Sequence, residues 1–258
     1  NNAVWIFGGI NNKNELQNKL HRILLSDRSV SYHKSDPIND IPPRSKALMV
    51  GINDHIYVFG GTNGDIIFND LWCYSCKRFK WKQIISPGKN PFLPPPSLSY
   101  TMNYFESQNM LILIGGHQEF GVYLFQFETN SWGSVPLQKG YVPRNLIGHQ
   151  TIAIDKDTFA IIGGQISNHN SSGFQYNNAI LIFKPLFPDG ISIVNTTGFQ
   201  PMNISFYHAA KISKHFIIAF GKEKLTKIEK QQKNEQIFMF LLNLVTKKWS
   251  VMYQNPRK

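Results

Sequence analysis

A short apolar run that ends in a glycine pair recurs along this chain and constrains its fold more than any other feature. The pairs are Gly8-Gly9, Gly60-Gly61, Gly115-Gly116 and Gly163-Gly164, and a fifth run ends at Gly221 with Lys222 in place of the second glycine. From position 9 to positions 61, 116, 164 and 222 the steps are 52, 55, 48 and 58 residues. Each run is rich in β-branched and aromatic residues and is bounded by turn-forming residues, so the pattern predicts repeated antiparallel sheets.

A second pattern, a fixed spacing between two large apolar residues, recurs after the glycine pairs. One large apolar residue precedes another with six residues between them, in the pairs Leu25 and Tyr32, Tyr74 and Trp81, Phe125 and Trp132, and Leu242 and Trp249. The fourth repeat departs from this spacing, because Phe183 is followed at that distance by Gly190 and only then by Ile191. The glycine pairs and the spaced apolar residues recur with the same period, which indicates five copies of a single structural unit.

The glycine pairs and the downstream aromatic residues resemble those of the kelch repeat, whose period is roughly 50 residues. The resemblance covers essentially the whole chain, and it implies an all-β fold: a kelch-type β-propeller of four-stranded antiparallel blades forming one domain over residues 1–258. The eight paired glycines, together with Trp81, Trp132 and Trp249, are then expected to be structural. We expect the five blades at residues 1–34, 46–86, 99–136, 148–195 and 207–253.

The two ends of the sequence suggest a ring of more than five blades. The first unit begins at its second strand, and the last residues, Asn255-Pro256-Arg257-Lys258, resemble the segment before the first strand of the second unit, Pro43-Arg44-Ser45-Lys46. We therefore expect part of a longer chain whose complete ring has six or seven blades. The alternative is that another segment supplies the missing strand of the first blade, since an open sheet edge is normally covered.

Composition bears on the cellular location of the protein and on the kinds of site that it can carry. No run approaches the roughly 18 consecutive apolar residues of a membrane-spanning helix. The cysteines, Cys73 and Cys76, form a C-x-x-C pair that is typical of a redox or zinc site. No second Cys/His pair has the spacing of a zinc finger, so we expect two free thiols beside a strand. Low cysteine content favours a cytoplasmic location, with the nucleus as the alternative, and three Asn-x-Ser/Thr sequons are expected to be accidental.

The sequence offers no linear motif for catalysis, and we expect a protein that is not an enzyme and that has no catalytic, cofactor-binding or metal-binding residues. The resemblance implies two enzymatic alternatives, the copper-dependent oxidase type and the iron-dependent specifier type of kelch propeller. The required copper ligands cannot be assembled from this chain, and no glutamate is followed by Asp and His at three-residue gaps. A P-loop and a nucleophile elbow are also absent from the sequence.

Candidate binding residues lie in the loops and connectors. In four-stranded antiparallel blades, the connections between strands two and three and between successive blades leave by the same face, and such loops commonly carry function. We expect this face to bind a partner through residues that could present donors to an acidic or phosphorylated segment: Arg44, Arg144, His117, His149, His208, Lys224 and Lys227. The structural alternative is that the arginines pair with neighbouring blades and carbonyl groups.

The charge balance points to acidic partners. The formal net charge is +11 and the pI is about 9.6, which favours an acidic protein segment, nucleic acid or an anionic membrane surface. We expect a protein-interaction module, a scaffold or adaptor within a larger complex. Nucleic acid or an anionic membrane is the alternative partner.

Overall fold

The described residues form five β-sheets of similar topology, arranged as the blades of a propeller. This computed structural model describes residues 3–33, 40–116, 120–137, 143, 146–167, 174–177, 179–187, 191–198, 204–223 and 237–254. One 3-10 turn, Glu106–Gln108, is the only helical element among them. The predicted all-β propeller with antiparallel blades is therefore confirmed.

The strands follow the chain in order from blade to blade. Blade 1 contains β1 (Ala3–Phe7), β2 (Leu20–Leu24) and β3 (Val30–Tyr32). Blade 2 contains β4 (Leu48–Ile52), β5 (His55–Phe59), β6 (Leu71–Ser75) and β7 (Lys80–Ile84). Blade 3 contains β8 (Tyr100–Phe105), β9 (Met110–Gly115), β10 (Gly121–Gln126) and β11 (Ser131–Ser134).

Blades 4 and 5 carry additional strands. Blade 4 contains β12 (Ile147–Ala153), β13 (Phe159–Ser167), β14 (Phe174–Tyr176), β15 (Ile180–Phe183) and β16 (Ile191–Val194). Blade 5 contains β17 (Thr197–Gly198), β18 (Ile204–Ser213), β19 (Phe216–Glu223), β20 (Ile237–Asn243) and β21 (Lys248–Gln254). The short β17 pairs in parallel with β21, so the connector from blade 4 covers the outer edge of blade 5.

The first strands of blades 2 to 5 lie side by side around the propeller axis. In these blades the strands that follow one another from the inside outward pair antiparallel, in the orders β4-β5-β6-β7, β8-β9-β10-β11, β12-β13-β15-β16 and β18-β19-β20-β21. Blade 1 has three described strands in the order β1-β2-β3, so its sheet starts one strand later than the others. The contacts run from β4 to β8, from β8 to β12 and from β12 to β18.

Apolar layers hold neighbouring blades together. Four buried clusters lie one between each successive pair of blades. One contact repeats between them: the Trp132 ring of blade 3 packs edge-on against Phe59 of blade 2 at 5.3 Å, and Trp81 of blade 2 packs in the same way against Phe7 of blade 1. The tryptophans therefore stabilise the junctions between blades, because each buries a large aromatic surface against its neighbour.

The two outermost faces of the blade array are apolar but exposed. Phe59 and Phe220 are both the last residue before the first glycine of their units, yet Phe59 is 1 % exposed and Phe220 is 45 % exposed. Val4 and Ile6 of β1 are exposed in the same way on the opposite end of the array. The structure leaves the complete number of blades as a prediction, because it describes five.

Strand pairing corrects which two apolar residues face each other across the outer strands of blade 1. Tyr74 faces Trp81 and Leu242 faces Trp249 directly across paired strands. In blade 1 the equivalent pair is Ile23 and Val30, whereas Tyr32 pairs with His21. The expectation of Leu25 and Tyr32 was wrong by two residues, because Leu25 already lies in the turn between β2 and β3. In blade 4, Phe183 pairs with Ile191 across a connection one residue longer.

Candidate functional site

The candidate site is the face where the connections after the glycine pairs and the connectors between blades emerge together; we call it the loop face. Backbone hydrogen bonds join these two kinds of segment in blade 2. The amides of Ser45 and Thr62 each donate to the other residue's carbonyl at 2.9 Å. In blade 3 the Gly116 amide donates to the Ser99 carbonyl at 3.2 Å. The loops therefore rest on a hydrogen-bonded base.

The glycine pairs make close contacts at this base. A Cβ on Gly115 would lie 2.4 Å from the Ser99 carbonyl oxygen and 2.5 Å from Cε1 of His149, and its φ is +123°. Only glycine adopts such a conformation without strain and without a collision. Positive φ values are found at all eight glycines of the four pairs, Gly8, Gly9, Gly60, Gly61, Gly115, Gly116, Gly163 and Gly164.

Arg44 lies inside the protein rather than on the loop face. Its side chain is 0 % exposed, and its guanidinium donates to both carboxylate oxygens of Asp70, at 2.6 and 3.0 Å, and to the Gly60 carbonyl at 2.9 Å. Its Nε donates to the Pro42 carbonyl, and the guanidinium lies 4.2 Å from the centroid of the Phe68 ring. These contacts match the structural alternative, so the partner-binding expectation for Arg44 needs correction.

The backbone of Arg44 is used as well, and it binds the preceding blade. Its carbonyl accepts a hydrogen bond from the Gly9 amide at 2.9 Å, and its amide donates to the Gln17 carbonyl at 3.0 Å. Arg44 therefore connects blade 1, through its backbone, to Asp70 of blade 2, through its side chain. Asp70 also accepts a hydrogen bond from the Trp72 indole at 2.7 Å, a role that no sequence pattern indicated.

Strand register separates Arg44 from Arg144, although both follow a proline. Ser45 is bridged to Thr62, the first residue after its glycine pair, and Ile147 is paired with Gln165, the first residue after its own pair. The residue equivalent to Arg44 is therefore Leu146, which is fully buried. Arg144 itself lies outside the described residues, as do His117, Lys224 and Lys227, so their binding roles stay predictions.

His149 is buried at the base of the loop face. It is 2 % exposed; its Nε2 donates to the Ile114 carbonyl at 3.2 Å, and no partner among the described residues reaches Nδ1 with hydrogen-bonding geometry. Burial lowers the pKa of His149 to about 4, an effect that the backbone of Ile114 and Leu146 only partly opposes. Because His149 is enclosed and its Nε2 hydrogen is donated to Ile114, it cannot present a donor to a partner, which corrects the expectation for this residue.

His208 has the opposite environment. It pairs with Phe220, the last residue before Gly221, whereas His149 pairs with the first glycine of its pair, Gly163. The two histidines are thus one position apart in register, and neighbouring strand positions point to opposite faces of a sheet. His208 is exposed, and its ring lies 5.4 Å from the Phe220 ring. Its partner-binding role stays a prediction.

The two cysteines point to opposite sides of blade 2. Cys73 interacts with Tyr57, which packs in the layer toward blade 3, whereas Cys76 packs in the layer toward blade 1. Both thiols are free, and burial raises the pKa of each. This arrangement fits the expectation of two thiols beside a strand, because a disulfide needs Cβ atoms about 4 Å apart and facing each other.

The loop face also exposes apolar side chains that sequence analysis did not single out. Ile66 and Ile67 stand on the connection after the glycine pair of blade 2, and Phe92 and Leu93 stand on the connector to blade 3. In a sequence, isolated apolar residues in loops give no signal of their own. Their significance depends on whether the two segments lie together.

The described residues hold no group of three or more His, Cys, Asp or Glu side chains placed to share a metal ion. Over the same part of the chain, no helix has the length and apolar character needed to cross a bilayer.

Comparison with known proteins agrees with the geometry. A family model described as the Attractin/LZTR1 β-propeller matches residues 4–258. The chain is 25% identical over 186 residues to a leucine-zipper-like transcriptional regulator 1 homolog of Drosophila melanogaster, covering 68% of this chain and 18% of that protein. It is also 29% identical over 127 residues to a kelch repeat and BTB domain-containing protein 2 of Ectromelia virus, covering 48% of this chain and 20% of that protein.

A third relative is a plant protein. The chain is 24% identical over 190 residues to acyl-CoA-binding domain-containing protein 5 of Arabidopsis thaliana, covering 71% of this chain and 28% of that protein. In each of these three relatives the similar region is less than a third of the protein's own length.

Proposed function

Because the chain belongs to the Attractin/LZTR1 β-propeller family, we propose that it is a protein-interaction module, a scaffold or adaptor that binds a partner through its loop face. The observation that carries this proposal is the construction of that face. Glycine pairs and connectors are hydrogen-bonded to one another, so loops of variable sequence stand on a rigid base. Such a base positions exposed side chains at low entropic cost on binding.

The names of the relatives support a role separate from any single activity. They mention a transcriptional regulator, a BTB domain and an acyl-CoA-binding domain, while the similarity to this chain covers a minor part of each protein. A propeller shared among proteins with such different names fits a non-catalytic binding role. We propose a cytoplasmic or nuclear setting for it, which the low cysteine content supports.

The partner's chemistry follows from charge. The net charge of +11 favours an acidic or phosphorylated protein segment. Arg144, outside the described residues, stays the proposed cation for such a segment. Lys46 adds a second positive charge, because it is exposed beside the Ser45–Thr62 hydrogen bonds.

Affinity purification with quantitative mass spectrometry tests the proposal. A charge reversal on the loop face, Lys46→Glu with Arg144→Glu, is compared with a matched reversal on the opposite face, Lys156→Glu with Lys247→Glu. We expect partners to be lost only with the loop-face variant. Equal retention of every partner by both variants would place binding elsewhere and contradict the proposal.

The same net charge favours a second candidate function, binding of nucleic acid or an anionic membrane through a basic surface. Such binding weakens steeply with salt, because it releases counterions. Retention on immobilised heparin or DNA at low salt, lost as salt rises, would support this function. Absence of retention at low salt would remove it.

A further inference from the structure

Two neighbouring segments of the loop face, between blades 2 and 3, carry four exposed apolar side chains. We call Ile66, Ile67, Phe92 and Leu93 the apolar loop patch. Ile66 is 56% exposed and Phe92 is 48% exposed. Contiguous apolar surface on a protein commonly marks an interaction site, whereas single exposed apolar residues need no explanation. The four residues can act as one interaction site only if the two segments that carry them lie next to each other.

A side-chain hydrogen bond joins them. The Asn69 side-chain amide donates to the Pro94 carbonyl at 3.0 Å, which fixes the end of the blade 2 loop against the connector directly after Leu93. On the other side, the Phe92 ring lies 6.1 Å from the Tyr123 ring of β10. The connector is thus held at both sides, and the segment that carries the two isoleucines is joined to the segment that carries Phe92 and Leu93.

Hydrogen bonds within the loop hold the segment that carries the isoleucines. The Thr62 hydroxyl donates to the Ile66 carbonyl at 2.7 Å, and the Asn63 side chain accepts from the Ile66 amide at 2.8 Å. Thr62 is also bridged to Ile67. These bonds fix the backbone of the loop, which holds both isoleucine side chains out in solvent instead of letting them fold onto the blade. A surface fixed before binding loses little conformational entropy when it is covered.

Charged residues at the border of the patch indicate what covers it. Lys46 lies beside the loop through the Ser45–Thr62 hydrogen bonds, and Lys89 precedes Phe92 by three residues; both are exposed. Asp65, on the loop itself, is the opposing charge. Two lysines against one aspartate, on a chain with a net charge of +11, favour carboxylates on the partner beside the apolar contacts.

We propose that the apolar loop patch binds an extended segment of a partner protein whose apolar side chains are flanked by Asp or Glu. This inference rests on the proposed function and makes it more specific. It places binding at blades 2 and 3, between the glycine-pair loop and the connector. Buried apolar anchors supply most of the affinity, and the carboxylates orient the segment through Lys46 and Lys89.

Selection from a phage-displayed library of random peptides on the immobilised chain tests the proposal. Synthetic versions of the enriched peptides are then titrated by fluorescence polarisation. We expect enriched peptides to share apolar residues next to acidic ones. The variant Ile66→Asp with Phe92→Asp should weaken their binding by at least about tenfold. The matched control, Phe187→Asp with Val245→Asp, exchanges two exposed apolar residues on the opposite face and should bind within about twofold of the native chain.

The outcomes separate this inference from the proposed function. Enriched peptides that bind the patch variant as tightly as the native chain would overturn the patch as the site, while an interaction function would stand. No enriched peptide, together with patch-dependent flotation on phosphatidylserine vesicles, would overturn the peptide in favour of a membrane. A milder pair, Ile66→Ser with Phe92→Ser, repeats the titration if the aspartate variant does not show the native thermal unfolding midpoint.

Discussion

The Asp70 carboxylate and the guanidinium of the fully buried Arg44 form a bidentate ion pair, with hydrogen bonds of 2.6 and 3.0 Å. The pair joins the connector between blades 1 and 2 to the residue directly before β6 of blade 2. Because the backbone of Arg44 is bonded to Gly9 and Gln17 of blade 1, displacement of the guanidinium would disturb both blades. The pair is thus a structural link beneath the loop face.

The substitution Asp70→Asn tests this link. Asparagine keeps the shape of the side chain but leaves the buried guanidinium without a counter-charge, which we expect to lower the free energy of unfolding by about 3 kcal/mol. Urea denaturation measures the change. The control is Asp65→Asn, an exposed aspartate in the same loop, with an expected effect within about 0.5 kcal/mol. An Asp70→Asn cost as small as that of the control would show that the ion pair contributes little.

The glycine pair of blade 1 offers a comparison within one motif. A Cβ on Gly8 would lie 2.5 Å from the Arg44 carbonyl oxygen, whereas a Cβ on Gly9 would meet nothing within 4 Å; both residues have positive φ. We expect Gly9→Ala to cost about 1–2 kcal/mol from backbone strain. Gly8→Ala should cost about 1–3 kcal/mol more, because the carbonyl must move. Thermal and urea unfolding of the two variants measure the difference, and equal costs would contradict the steric role of Gly8.

Two residues in equivalent strand positions test the packing between blades. Trp132 is 6 % exposed because it packs on Phe59 of the preceding blade, whereas Val30, at the same position in blade 1, is 64 % exposed. We expect Trp132→Ala to lower the free energy of unfolding by about 3–5 kcal/mol. Val30→Ala should change it by less than about 0.5 kcal/mol. A large cost for Val30→Ala would mean that another element covers this face of blade 1.

The repeat could be predicted from the sequence because each recurring pattern lies within a short stretch of the chain. Gly60, Gly61 and Trp81 belong to short patterns that recur within one blade, so their structural role followed from spacing. The role of Asp70 could not be found in this way, since the aspartate acts through a residue 26 positions earlier and its position in the repeat is filled differently in the other blades.

The candidate site was harder to predict than the fold because connector lengths vary. The difference of one register position that buries His149 and exposes His208 depends on where each connector enters its sheet. The apolar loop patch depends on the Asn69–Pro94 hydrogen bond, which joins residues 25 positions apart in the sequence. Neither relationship leaves a pattern in the sequence, and both require the folded chain.

The buried imidazole of His149 should make stability depend on pH. Its pKa in the folded protein is about 4, below the value of about 6.5 for an exposed histidine in the unfolded chain. The unfolded state therefore binds a proton first as the pH falls. The stabilisation is fully present above about pH 6.5 and is lost progressively toward pH 4, which amounts to about 2 kcal/mol between pH 7 and pH 5.

Urea denaturation at pH 7 and pH 5 measures this loss for the native chain and for His149→Gln. Glutamine does not titrate in this range, so the variant should lose about 2 kcal/mol less stability over the interval than the native chain does. His208→Gln is the matched control, because it makes the same exchange at an exposed histidine. The same pH dependence in the native chain and in His149→Gln would show that the imidazole is not held neutral by burial.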